Sequence, residues 1–306
     1  MFDACVHLFD IFQETEGIES LLNNMEKNGV SMAAITGTPV TKKWESSEKA
    51  EPRGPFNDTG RIYFFTGTDD LVATECERDD AIVAECALKI VPMMCGFNPT
   101  DLFAIRHVKR ILSRKDNLWA GVGELFFRHS EISMLTNEEA TRANHPALTE
   151  VYKLCKERNL PVVMHSNAGN ESVKPYASAF EYVHELEHVL DTHRDLKVLW
   201  NGMGMFERGT WAKYEDTVEA MLVKYPNVWL GITWHGLVNC TAALSHEQLT
   251  RLVNSYPDRF VLSTECSHFA DEYADKVAMM KKFAAGVAPE AQEKLLELNA
   301  KTLFGR

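Results

Sequence analysis

The sequence predicts a (β/α)8 barrel of the TIM type, folded as a single domain over residues 1–306. Three observations carry that expectation. Eight short apolar or β-branched runs recur along the chain, amphipathic stretches separate them, and the length suits a closed α/β barrel, which commonly takes about 250 residues. A doubly wound open sheet is the structural alternative, but eight repeats favour closure.

The eight runs occupy residues 2–7, 31–36, 90–95, 119–125, 161–165, 196–201, 227–232 and 259–264. Their starts differ by 29, 59, 29, 42, 35, 31 and 32 residues, close to one strand plus one crossover helix, with a single excess across residues 37–89. Between the runs, Ile18, Leu21, Leu22 and Met25 recur at helical spacing, as do Leu148, Val151, Tyr152 and Cys155. Within the excess, residues around 37–60 are polar and rich in Pro and Gly, so they read as an inserted loop on the active face, either a lid bearing Trp44 and Phe56 or a surface decoration.

Composition narrows the function classes. Apolar residues make up 45% and charged residues 25%, the balance of a globular chain and not of a disordered one. With 44 acidic against 32 basic residues the net charge is −12, which repels a phosphate backbone, so a nucleic-acid partner is not expected. No apolar stretch reaches the roughly 18 residues that span a bilayer, and the start MFDACVHLFD lacks the order of a secretory signal. The expected setting is cytoplasmic, away from membranes, with a small-molecule substrate and association into a homo-oligomer left open. Seven widely spread cysteines without a CxxC pair fit reduced thiols, most of them small buried hydrophobes.

In a parallel barrel the carboxyl ends of all strands meet at one mouth. The polar groups at those ends are Cys5 and His7, Thr36, Glu124, His165, Asn201, His235 beside Trp234, and Glu265, with Arg128 the strand-end cation. Cys5 and His7 are two residues apart and share a strand face, where thiolate and imidazole suit zinc. Glu124 and Glu265 each end an apolar run and have the chemistry of a general base for an attacking water. A rival pattern, His184-Glu185-Leu186-Glu187-His188, matches the zinc-protease motif H-E-x-x-H. It is set aside because Phe180, Val183, Leu186 and Leu190 form the barrel-facing stripe and leave both histidines outside it.

Several of these segments together resemble the amidohydrolase superfamily, in its amidohydrolase-related branch. DACVHLFD resembles the strand-one Asp-x-His-x-His signature, GVGEL the strand-four glutamate and PVVMHSN the strand-five histidine; KVLWNGMGMF and FVLSTECSHF resemble strands six and eight, and ELNAKTLFG the terminal Asn-Ala-x-x-Leu-Phe-Gly. The resemblance implies metal ligands at His7, Glu124 and His165, with Glu265 as proton shuttle and ligand. It also implies that His268, just after strand eight, faces substrate. Three positions depart from the pattern: Cys5 replaces the first histidine, Gly202 the strand-six histidine, and Glu265 the usual aspartate.

The expected activity is hydrolysis of a small ester, amide or lactone at a remodelled single-metal site. One Zn²⁺ or Mn²⁺ would be held by some of Cys5, His7, Glu124, His165 and Glu265, with His165 and Glu265 also in catalytic roles and Asn201, Trp234, His235, His268 and Arg128 contacting substrate. A metal-independent alternative makes Cys5 a nucleophile with His7 or His165 as its base and Asn201 at the oxyanion. A decarboxylase-like lyase, using Arg128 on a carboxylate, and a non-catalytic ligand-binding barrel are the other two readings.

Overall fold

The computed structural model describes every residue except 55–59, 116, 130, 131, 134, 135, 137, 138, 170–179, 206–212 and 240–242. Eight parallel strands close into a barrel: β1 (Phe2–His7), β2 (Met32–Thr36), β5 (Ile90–Met94), β6 (Gly121–Phe127), β7 (Val162–Ser166), β8 (Val198–Asn201), β9 (Val228–Thr233) and β10 (Phe260–Ser263). Around the barrel they run in the order β1-β10-β9-β8-β7-β6-β5-β2. Every one of the eight runs read from the sequence is a barrel strand, with no end shifted by more than two residues.

The excess before β5 contains more than a loop. β3 (Val40–Lys42) and β4 (Ile62–Phe64) pair as an antiparallel ribbon, and two helices follow, α2 (Thr68–Cys76) and α3 (Asp80–Lys89). Trp44 is exposed beside the ribbon, whereas Phe56 lies outside the described residues. The start of α2 also braces the mouth: the buried Asp69 carboxylate accepts hydrogen bonds from the backbone of Cys95 and Gly96, both 2.9 Å, at the end of β5.

The helical stripes pack as their spacing requires. Ile18, Leu21, Leu22 and Met25 are the buried residues of α1 (Ile18–Lys27), and Val151, Tyr152, Leu154 and Cys155 those of α5 (Thr149–Glu157). These side chains join Val6, Ile35, Val122, Leu125, Met164, Trp200 and Leu262 in one shell between the barrel and its helices. A second apolar set fills the barrel itself: Phe2, Ala4, Ala34, Val91, Met93, Val163, Leu199 and Val261 pack with Ala300, Leu303 and Phe304 of α12 (Asn299–Phe304). The terminal Asn-Ala-x-x-Leu-Phe-Gly segment is therefore a plug. Phe304 stacks on Phe2 with ring centroids 5.5 Å apart, Asn299 donates to the carbonyls of Pro257 and Phe260, and Gly305 ends the helix in the left-handed region. Among the described residues no helix is long and apolar enough to cross a membrane.

Candidate active site

Strand register gathers the polar groups. His7 is level with Thr36, Phe126 with His165, His165 with Asn201, and Asn201 with Gly231. Two ladders slip on the way, β1 between Asp3 and Val6 and β6 between Val122 and Leu125. At the second slip, Gly123 has φ +136°, and a Cβ there would lie 2.3 Å from the Val163 carbonyl, so only glycine fits. Thr36 fixes the slip by donating its hydroxyl to the Gly123 carbonyl (2.7 Å) and accepting the Glu124 backbone N–H (3.2 Å).

Glu124 is the centre of the cluster, with its side chain wholly buried. His7 Nε2 donates to Oε2 at 2.8 Å, and the Cys5 thiol donates to the same oxygen at 3.6 Å. Asn201 Nδ2 donates to Glu124 Oε1 at 2.7 Å and to Glu265 Oε1 at 2.9 Å, so one amide bridges the two acids. The opposite amide orientation would aim an oxygen at two carboxylates, and this fixes the assignment. His165 Nδ1 stands 3.9 Å from both Glu124 Oε1 and Glu265 Oε1, while its Nε2 donates to Asn167 Oδ1 at 3.2 Å.

Electrostatics follow from this packing. Burial alone would raise the Glu124 pKa, but the His7 hydrogen bond, the His7 and His165 charges and the Asn201 donor outweigh it and leave the carboxyl below its ordinary range. Burial likewise opposes charge on His165, yet Glu265 and Glu124 raise its pKa. Cys5 is driven the other way: burial first, then the carboxylates of Glu124, Glu265 and Asp3, push its thiol well above the usual value.

The other predicted residues are placed differently. Arg128 forms a two-pronged pair with the buried Glu185 carboxylate, its Nε 3.1 and 3.2 Å from the two oxygens, and stacks over Tyr182 at 4.3 Å. Arg128 is thus held at the strand end by the Glu185 carboxylate. Trp234 and His235 open the short helix α8 (Trp234–Val238), capped by the Thr233 hydroxyl, with Lys276 over the Trp234 ring at 4.4 Å. His268 is exposed in the turn after β10. In the rival motif, His184 and His188 are both exposed on α6 (Val183–Thr192), and of the two glutamates between them Glu185 is the one that Arg128 binds.

One residue was missed in the sequence. The ring of His129 lies 4.6 Å from that of His165 and 5.3 Å from that of Phe126, and burial drives its pKa well below the ordinary imidazole value. It follows β6 directly, so the strand-end rule pointed to it as much as to Arg128.

The donor set suits a metal ion. Cys5, His7 and Glu124 offer one ligand atom each within 4.8 Å of one another, as do Glu124, His165 and Glu265. The sulfur lies 3.9 Å from His7 Nε2 and 3.6 Å from Glu124 Oε2, close to the roughly 3.5 Å edges of a tetrahedron with zinc bond lengths. A cation there would replace the two protons that His7 and Cys5 now direct at Glu124. Gly202 contributes no ligand; a Cβ on it would point at His165 Cε1 from 3.4 Å.

The family model named Amidohydrolase matches residues 38–306. The chain belongs to the amidohydrolase family. Solved structures repeat the family's barrel over nearly the whole chain. Dihydroorotase from Campylobacter jejuni is similar with a TM-score of 0.59 at 15% identity, covering 100% of this chain and 83% of its own. 2,6-Dihydroxybenzoate decarboxylase from Rhizobium scores 0.57 at 13% identity, covering 99% and 98%. An amidohydrolase from Burkholderia multivorans with bound zinc scores 0.60 at 9% identity, covering 99% and 98%. No curated protein matches the sequence. The same fold is carried by a dihydroorotase and a decarboxylase, so the reaction must be argued from the site.

Proposed function

We propose that this barrel hydrolyses a small ester, amide or lactone with the help of one divalent ion, Zn²⁺ before Mn²⁺ because one donor is sulfur. The observation that carries the reading is the convergence of Cys5, His7 and Glu124 on one point, with Glu265 facing them across the Asn201 amide. Cys5, His7 and Glu124 would hold the ion, which would supply a Lewis acid to polarise an acyl oxygen and to make water a better nucleophile.

The chain's own groups complete the reaction. Glu265 accepts a proton from the attacking water as its oxygen bonds to the acyl carbon, then returns that proton to the leaving oxygen or nitrogen as the acyl bond breaks. Asn201 holds Glu265 at a fixed distance from Glu124, and His165 offers an N–H to the oxygen on which negative charge develops. Phe126 and His129 set their rings against that of His165 and fix its orientation.

Cys5 as nucleophile is the weaker chemistry, because burial and three carboxylates hold it as a thiol. Decarboxylation is also weaker, because Arg128 is taken by Glu185. The test pairs zinc titration by calorimetry with an activity panel of aryl esters, lactones, cyclic amides and aromatic carboxylates. Hydrolysis that rises with the first equivalent of zinc is expected. Carbon dioxide release from the carboxylates, or full ester turnover in the metal-stripped protein, would overturn the reading.

A further inference from the structure

Away from the mouth, α2 ends at Cys76, and α3 carries Cys86 after the three-residue link 77–79. Both thiols line one cleft of about 310 Å³ on the outside of the barrel, shared with Glu77, Val83, Ile90 and Arg306. Cys76 is 1% and Cys86 6% exposed, yet the cleft opens to solvent with room for a molecule the size of hydrogen peroxide. The two cysteines reach this cleft from consecutive helices, α2 and α3, that pack against each other. We propose that Cys76 and Cys86 form a reversible dithiol–disulfide site, oxidised by hydrogen peroxide that enters through this cleft.

Reactivity divides along the same line. Burial raises the pKa values of Cys5, Cys95, Cys155 and Cys266 and holds them as thiols, and of the two cysteines in the cleft Cys86 is the more exposed. Cys86 is therefore the attacking sulfur and Cys76 the resolving one. In the first step the Cys86 thiolate takes one peroxide oxygen; the S–O bond forms, the O–O bond breaks, and hydroxide leaves to become water. Next, Cys76 attacks the Cys86 sulfenic acid; the S–S bond forms, the S–O bond breaks, and the departing hydroxide takes the Cys76 proton. Two thiols lose two electrons, and peroxide is reduced to two waters. The bond would fix the end of the helix whose first turn holds the backbone of Cys95 and Gly96 at the barrel mouth.

Trypsin reads the outcome cleanly, because Arg78 separates the cysteines into peptides 62–78 and 79–89. The reduced full chain is treated with equimolar peroxide, denatured, alkylated and mapped by mass. We expect two alkylated cysteines to be lost, a cross-linked pair of these peptides to appear, and dithiothreitol to restore both, while Cys5, Cys95 and Cys155 remain fully alkylated. In C76S the sulfenic acid should persist on Cys86 and be trapped by dimedone. A wild-type chain that accumulates sulfinic acid at Cys86 without the cross-link, or that pairs either cysteine with another one, overturns the proposal. None of these readouts depends on the mouth being catalytic.

Discussion

Replacing Asp69 by asparagine isolates the cost of a buried carboxylate at the rim of the mouth. Asp69 is fully buried; one oxygen accepts the Cys95 and Gly96 N–H groups, and the other has no hydrogen-bond partner. Burial, opposed by those two bonds, raises its pKa from 3.8 to about 7. The folded protein therefore keeps a proton on Asp69 that the unfolded chain releases above 3.8. The associated stability is whole below that value and is lost as pH rises through about 7. At about 1.4 kcal/mol per pH unit of that gap, the loss is about 4 kcal/mol, and relaxation around the charge brings it to about 2–4 kcal/mol. Asparagine keeps the shape and the acceptor but cannot ionise. Urea unfolding of wild type and D69N at pH 4 and pH 8.5 should give curves within about 1 kcal/mol at the lower pH, and a variant about 2–4 kcal/mol more stable at the higher. Equal differences at the two pH values would mean that Asp69 is already charged in the fold, and the reasoning would fail.

Asn201→Leu removes the bridge between Glu124 and Glu265 and should destabilise the metal-stripped protein by about 3–5 kcal/mol in urea; a loss under about 1 kcal/mol would show that the acids do not rely on that amide. Arg128→Met leaves Glu185 buried without its partner and should cost about 3–5 kcal/mol, and adding Glu185→Met should recover most of it. If the double variant is no more stable than the single, the pair is not what holds Arg128. Cys5→Ala removes one of three donors and should weaken zinc binding on the order of 100-fold in competition with a chromophoric chelator, and unchanged affinity would place the ion elsewhere.

Which features were legible depended on how local their cause is. All eight barrel strands could be read because β-branched and apolar runs report burial residue by residue, and the helical stripes of α1 and α5 for the same reason. The ribbon of β3 and β4 could not be read, because its three-residue strands pair across a segment whose composition is that of a loop. The partner of Arg128 was hidden for a different reason. Glu185 lies 57 positions further on, inside a motif that drew the eye to its histidines.

The deeper limit lies in parity. Strict alternation from Val122, which packs in the shell under the helices, would send Glu124 into that same shell and Leu125 into the barrel. The structure does the reverse: Leu125 joins Val122 in the shell, and Glu124 reaches the mouth. On β1, Phe2 and Ala4 point into the barrel, so alternation would turn Val6 inward and Cys5 and His7 out, yet Val6 packs in the shell. Each inversion falls at a ladder slip, the first made by a glycine that no other residue can replace. A strand that only had to fill the barrel would have no use for either slip. Both occur where an apolar strand delivers polar groups to one point, and this ties the irregular backbone to the chemistry of the mouth and not to packing.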